Sequence, residues 1–387
     1  MHKRLFPDFI IFGIGNYNSL GVLHAMAEAD KEVFILSVHH SKDWKRGNII
    51  GYSRFSRFIQ SVESAKDGVN WLLNSKSLFP KNTIIYPTGD KEQKAIDMHF
   101  HNLAEHYLFP TCGIQGRVSE LMDKELQSQL AEDHGIRILK SQFTTSPDFS
   151  FDRVSYPCMV KPLNSTSGSK IDMRVCESKD HLLKALKEGK YTNDFIVQHY
   201  IRNEADLLFL GVVLPNGDVE LPALVMKPGV SPTGEYTHAI VTTDIDKYLP
   251  EKKKVESFIK DLGYVGPFSI EFGLEKGKNY FFEINLRNDG TSHYPLKAGV
   301  NIPMLYYNSM HGKHTPLFVA RQDYEMIDET GDIRRVLNHD LSFSDWLKSF
   351  KDAQAYRFYN SKDKKLIPYI CLMFTRRMIT KIFRTLK

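Results

Sequence analysis

One stretch, residues 268–287, restricts the fold more than any other: FSIEFGL, then EKGKN, then YFFEINLR. Phe268, Ile270, Phe272 and Leu274 alternate with Ser269, Glu271 and Gly273, while Tyr280, Phe282, Ile284 and Leu286 alternate with Phe281, Glu283 and Asn285. Period-two alternation on both sides of a glycine turn marks an antiparallel hairpin with one apolar and one polar face. A turn centred on Gly277 sets Glu271 opposite Glu283 and leaves Asn285 one pleat, about 7 Å, further along the same face. Like charges opposed across strands cost about 0.2–1 kcal/mol when exposed and more when shielded from water, so the pair needs a counter-charge. Two carboxylates and an amide oxygen, with positions left for phosphate oxygens, suit Mg²⁺ in a nucleotide site. A surface hairpin with two solvated acids is the plainer alternative.

Nothing in the chain approaches 18 consecutive apolar residues, so no membrane span is expected, and 387 residues with 42% hydrophobic content can support two or three domains. The start, MHKRLFPDFIIFGIG, joins a basic end to a short apolar run. Asp8 interrupts that run and no small-residue cleavage site follows, so it reads as a first strand rather than a signal peptide. Cys112, Cys158, Cys176 and Cys371 lie far apart without a C-x-x-C pair, which argues for a reducing, cytoplasmic setting and against disulfides or zinc. The net charge of +5 is unevenly placed: residues 364–387 hold seven of the 51 Lys and Arg and no acid, leaving 44 bases against 46 acids elsewhere. By charge, the body is not a nucleic-acid binder.

Residues 9–15 (FIIFGIG) form an apolar run ending in glycines, 21–30 read as a helix and 32–38 (EVFILSV) as the next buried strand, the opening of a parallel sheet. Gly13, Gly15 and Gly21 miss the G-x-G-x-x-G spacing, which opposes a nicotinamide-dependent oxidoreductase built on residues 1–40. A turn whose amides, with Asn16, Asn18 and Ser19, face a small ligand at the carboxyl edge of the sheet suits the pattern better, and residues 83–87 (TIIYP) bring Thr88, Gly89 and Asp90 to the same edge. Turn and N-cap chemistry is the competing reading of these polar residues. Residues 118–135 predict one helix, with Ser119 as N-cap, Gly135 as stop and Lys124 inside it. Residues 156–162 (YPCMVKP) predict a strand ending near Lys161, and 164–170 (NSTSGSK) a small polar loop able to fold over phosphates without Walker spacing. A helix at 180–189, strands at 195–200, 207–214 and 219–226, an N-G turn at 216–217 and a helix at 248–262 lead to the hairpin. The predicted fold class is an N-terminal α/β parallel-sheet domain followed by α+β domains with antiparallel sheets.

In this order the stretches resemble the ATP-grasp superfamily across residues 5–315: a helix lysine (Lys124), a Val-Lys-Pro lysine (Lys161) with a small-residue flap, a hinge strand at 196–201 with Glu204 after it, GYVGPFSIEF at 263–272 and FFEINLR at 281–287. The last two are specific on their own. The resemblance implies ATP and Mg²⁺, with Mn²⁺ as a substitute. It implies that Lys124 and Lys161 contact the phosphates while Ser165, Ser167, Gly168 and Ser169 close as a lid. Gln198, His199 and Tyr200 would read the adenine edge, Glu204 the ribose, and Lys227 would add a base before the metal strands. Glu271, Glu283 and Asn285 would hold the metal, and Arg287 would touch the γ-phosphate. The hinge departs from many relatives in carrying His199 in place of an acid. The implied reaction is ATP-dependent ligation of a carboxylate to an amine, an amino acid or peptide, through an acyl phosphate, with similarity to the D-aspartate ligase and carbamoyl-phosphate-synthase-like branch and to envelope or capsule precursor synthesis. Arg287, Lys161 and His293 are the catalytic expectations; Asn16, Asn18, Ser19, Asp90, Asn288 and Thr291 are the substrate expectations.

This reading divides the chain into an N-terminal α/β domain (1–115), a small lobe with the flap (116–200), a large lobe with the metal site (201–330) and a C-terminal helical basic tail (331–387). Residues 364–387 place apolar Met378, Ile382 and Leu386 at helical spacing among bases, so the tail either packs on the body or lies on an anionic membrane at the inner face. A homodimer is a further expectation. A catalytically silent ATP-binding regulator or scaffold is the other function carried forward.

Overall fold

The computed structural model describes residues 5–39, 48–144, 150–162, 173–188, 195–228, 236–313 and 321–385. The flap, with Ser165, Ser167, Gly168 and Ser169, lies outside the described residues.

Three sheets follow one another along the chain. β1 (Phe9–Ile14), α1 (Tyr17–Glu28), β2 (Phe34–Val38), β3 (Phe58–Val62), α2 (Ala65–Asn74), β4 (Thr83–Pro87), α3 (Asp90–Asp97) and β5 (Tyr107–Leu108) make an all-parallel sheet of order β3-β2-β1-β4-β5. β2 and β4 are buried along their whole length, which is what crossover helices on a parallel sheet require and why these strands read as unbroken apolar runs. α4 (Arg117–Leu121) and α5 (Lys124–Asp133) lead to an antiparallel sheet of order β6-β9-β7-β8, built from β6 (Ser141–Phe143), β7 (Cys158–Pro162), β8 (Arg174–Cys176), α6 (Lys179–Glu188) and β9 (Phe195–His199).

The largest sheet has seven strands, in the order β14-β13-β10-β11-β12-β15-β16. Its members are β10 (Ala205–Val213), β11 (Val219–Pro228), β12 (His238–Thr242), β13 (Gly266–Glu275), β14 (Lys278–Asn285), β15 (Asp323–Ile327) and β16 (Ala355–Tyr356). α7 (Lys252–Asp261) covers one face of it with α5, and α8 (Ile302–Met310) packs between its other face and α1. α9 (Glu329–Leu337), α10 (Phe343–Asp352) and α11 (Ile367–Thr385) complete the C-terminal part.

Three expectations need correction. The helix expected at 118–135 is broken at Met122, because Asp123 turns its carboxylate onto the Leu126 amide and starts a second helix; Lys124 becomes its first residue, while the stop at Gly135 stands. The helix expected at 248–262 begins only at Lys252, after Pro250. Residues 331–387 are more than a tail: β16 adds the seventh strand, and Leu366, Tyr369 and Ile370 enter the core that joins the parallel sheet to the largest one.

The same segment is latched at Asp363, which is 1% exposed. Its carboxylate pairs with His24 Nε2 at 3.1 Å, accepts from the Arg54 amide at 2.9 Å and from the Ser53 hydroxyl, so α1 and the connection between β2 and β3 are tied to the C-terminal segment. Asp363→Ala would leave buried donors without their acceptor, and urea denaturation should show a loss of about 2–4 kcal/mol at constant m-value. A loss under about 0.5 kcal/mol, the range of an ordinary surface change, would show that the latch is open in solution.

Candidate active site

The hairpin brings the two acids together by a route the alternation hides. Lys276 and Gly277, both at positive φ (50° and 70°), form a two-residue turn that pairs Glu275 with Lys278, one register tighter than a turn centred on Gly277. The ladder runs Phe272 to Phe281 and then Glu271 to Glu283, so Phe282 is an extra residue in β14. This bulge restores the opposition of the two glutamates. It also moves Phe281, not Phe282, into the core with Ile284 and Leu286, which corrects the expected apolar face of the second strand. Glu204 Oε1 accepts the Lys276 amide at 2.9 Å and steadies the turn; the side chain assigned to a ribose stands at the hairpin tip.

Cations converge on the pair from four elements. Lys124 Nζ, at the start of α5, lies 2.6 Å from Glu283 Oε2. Lys161 on β7 donates to Gln198 Oε1 at 2.9 Å and lies within the field of both Lys124 and Glu283. Lys227 on β11 is 3.6 Å from Glu271 Oε1 and sits over the Tyr236 ring. Arg287 follows β14 and donates to Asn285 Oδ1 at 3.3 Å. Glu271 and Glu283 are roughly a quarter exposed, at 22% and 27%.

Burial pushes both carboxyls up. At Glu283 the two lysines outweigh burial and hold the group well below the usual carboxylate range; at Glu271, Lys227 is outweighed by burial and by Glu283, and the group ends above it. Lys227 stays protonated because Glu271, Tyr236 and Asp289 overcome its burial. Lys161 moves the other way: burial, reinforced by Lys124, lowers it to about 8. Two carboxylates with one amide oxygen form a hard-oxygen donor set that fits Mg²⁺, and four cationic side chains stand around it where an anionic ligand could engage them.

Of the remaining expected residues, some are brought to this cluster and others are occupied elsewhere. Asp90, first residue of α3, receives Arg287 through both carboxylate oxygens, at 2.6 and 3.3 Å. Asn18, Ser19 and Asn288 are buried and satisfy one another's neighbourhood: Tyr86 Oη donates to Asn288 Oδ1, Asn288 Nδ2 to Asn18 Oδ1, Asn18 Nδ2 to the Thr88 carbonyl, and Ser19 Oγ to the Ile14 carbonyl. They brace the parallel sheet against the end of β14. Asn16 caps α1 by accepting from the Asn18 amide, and Thr291 donates to Asp289 Oδ1 through both its amide and its hydroxyl. The His199 and Tyr200 amides are committed to the Lys140 and Pro157 carbonyls, so a base edge would be read by other groups of this strand end.

His293 is not placed as a proton carrier. Its Nε2 donates to the Tyr356 carbonyl at 3.1 Å, its ring packs on Gly21 of α1, and burial, with His24 adding to it, lowers its pKa to about 4. It is neutral at neutral pH and fills a packing position. The first βα turn is likewise filled: a Cβ at Gly15 would lie 1.6 Å from Asn48 Oδ1, so the Asn48 side chain stands where a dinucleotide fold needs room for pyrophosphate.

Sequence reasoning missed Arg357 and Glu92. Arg357, just after β16, donates to Asp328 Oδ2 at 2.5 Å and lies over the rings of Tyr17 and Tyr236, whose field joins it to Asp289 and Arg287. No local pattern marks it, since its partners come from three distant stretches. Glu92 is 3% exposed, with burial pushing its carboxyl up, and lines a cavity of about 410 Å³ at the carboxyl edge of the parallel sheet with Ile14, Lys66, Lys91 and Lys94.

Comparison with known proteins follows the same lines. Residues 129–301 match the ATP-grasp domain family. It is 29% identical over 181 residues to the formate-dependent phosphoribosylglycinamide formyltransferase of Bacillus subtilis, covering 44% of this chain and 46% of that protein. It is 32% identical over 145 residues to the D-alanine–D-alanine ligase of Fervidobacterium nodosum, covering 35% and 45%. The match thus spans about half the length of these curated relatives. Among solved structures, the ADP complex of N5-carboxyaminoimidazole ribonucleotide synthetase superposes with a TM-score of 0.66 over 88% of this chain and 87% of that one, at 14% identity, a likeness of fold.

Because Lys161 is charged below about pH 8 and neutral above it, any phosphate contact it makes would be charge-assisted at pH 7 and lose that charge on the alkaline side. Affinity for a non-hydrolysable ATP analogue, measured calorimetrically with Mg²⁺ present, should weaken roughly tenfold from pH 7 to pH 9, and Lys161→Arg should flatten the profile. A flat wild-type profile would remove Lys161 from the phosphate contact.

Proposed function

We propose that the protein is an ATP-dependent carboxylate–amine ligase. The observation that carries this reading is the opposed pair Glu271 and Glu283, with Asn285 beside them, enclosed by Lys124, Lys161, Lys227 and Arg287. Phosphoryl transfer asks for positioned charge and excluded water rather than a nucleophilic side chain, and among the described residues this cluster is made of acids, an amide and cations. Mg²⁺, held by Glu271, Glu283 and Asn285, would supply charge neutralisation at the phosphate oxygens. Lys124 and Lys161 then transfer their pairing from Glu283 and Gln198 to the nucleotide phosphates. Arg287, aimed by Asp90, faces the γ-phosphate.

A substrate carboxylate oxygen attacks the γ-phosphorus, its bond to the ADP oxygen breaks, and an acyl phosphate forms. An amine then attacks the acyl carbon, phosphate leaves with the bonding pair, and the amine gives up a proton as the amide forms. Amide formation from amino-acid or peptide substrates is supported by the kinship with a D-alanine–D-alanine ligase. Acceptor groups would sit toward the cavity beside Glu92 and toward Arg357 and Asp289. Asp90 belongs to the substrate side through its hold on Arg287. A silent ATP-binding regulator would have no need of the complete set of acids, amide and cations found here.

The direct test is release of ADP and phosphate by the purified protein across paired carboxylate and amine mixtures. Glu283→Gln should cut turnover by roughly two orders of magnitude or more while circular dichroism and thermal midpoint stay close to wild type. Unchanged turnover would take that residue out of the metal role, and failure of every mixture to accelerate ATP consumption would favour the silent regulator.

A further inference from the structure

α11 is amphipathic in the usual way on one side only. Tyr369 and Ile370 are buried and Met373 and Phe374 half-buried, continuing at helical spacing from the buried Leu366 just before the helix, as a face packed on the body does. Such a helix ordinarily turns charged and polar residues outward. Here Ile367, Leu372 and Ile379 are 40%, 44% and 47% exposed, with Pro368, Cys371 and Thr375 exposed between them. Around this aliphatic face the composition is uniformly basic: Lys364, Lys365 and Arg376 are exposed, and residues 364–387 hold seven Lys and Arg and no acid.

We propose that α11 docks the protein on an anionic lipid surface, lying in the plane of the interface with Ile367, Leu372 and Ile379 at the headgroup–acyl boundary and the flanking bases on the headgroups. Both halves of the feature are needed by that partner and by few others. A lipid surface takes apolar side chains and negative charge together. A second copy of the chain packed through the same face would bring two clusters of like charge into contact, and a nucleic acid would engage the bases while leaving the aliphatic face in water. The helix does not cross the bilayer: among the described residues no helix is long and apolar enough to do so. This attachment is independent of the ligase reading, because α11 contributes none of the site residues.

The experiment is co-sedimentation of the full-length protein with vesicles of phosphatidylcholine alone and of phosphatidylcholine containing about 30 mol% phosphatidylglycerol, at low and high salt. Binding to the anionic vesicles should be at least about tenfold tighter than to the neutral ones and should weaken with salt. Leu372→Glu with Ile379→Glu should reduce it about fivefold or more, and Lys364→Gln with Lys365→Gln and Arg376→Gln should remove most of the salt-sensitive part. The thermal shift given by ATP and Mg²⁺ should persist in both variants, which shows that they fold. No binding to either vesicle, or equal binding to both, overturns the proposal. So does a wild-type dimer in light scattering that the Leu372→Glu, Ile379→Glu variant converts to monomer while vesicle binding is absent.

Discussion

Two carboxylates set face to face on neighbouring strands are tolerable only while cations surround them, and much of the chain's layout meets that condition. Two unit charges 4 Å apart interact by about 4 kcal/mol at an effective dielectric near 20, enough to decide a protonation state. At Glu283, Lys124 at 2.6 Å together with Lys161 overrides burial; at Glu271, burial and the neighbouring acids outweigh Lys227 at 3.6 Å. Each cation arrives from a different element: the start of a helix, the small sheet, the large sheet and the segment after β14. The site exists only when the lobes are assembled.

The parts of this arrangement visible in the sequence were those with a local signature. Alternation marked the hairpin and unbroken apolar runs the parallel sheet, while the expected opposition of Glu271 and Glu283 came true through two offsetting one-residue shifts, a tighter turn and a bulge. The bulge at Phe282 was hidden because Phe281 and Phe282 are both apolar, so a one-residue slip leaves no mark in the pattern. The break at Met122 was hidden for a related reason, since Asp123 reads equally well as a solvated helix residue until its carboxylate is seen on the Leu126 amide. Polar residues at the sheet edge could be read as ligand groups or as structure. Tertiary contact decides: Asn18 and Asn288 spend their hydrogen bonds on each other, while Asp90 turns to Arg287. Arg357 lies beyond any local pattern, because what defines it is a pair of tyrosine rings more than a hundred residues away.

The C-terminal segment has a larger part than its basic composition announces. It closes the largest sheet with β16, carries Arg357 onto the Tyr17 ring, and is latched to α1 through Asp363. His293 lies under the same segment, its Nε2 engaged with the Tyr356 carbonyl and its imidazole pKa lowered by burial.

Asn285, Arg287 and Asn288 are neighbours in sequence with three separate places: an amide beside Glu283, a guanidinium held between Asn285 and Asp90, and a plug hydrogen-bonded to Tyr86 of the parallel sheet and Asn18 of α1. Because all three lie within four consecutive positions, the N-terminal domain cannot be exchanged for a foreign one as an independent module. A chimaera that omits the Tyr86 and Asn18 partners would unseat the very segment on which Arg287 stands. Recombination in this architecture must therefore carry the seam along with the domain.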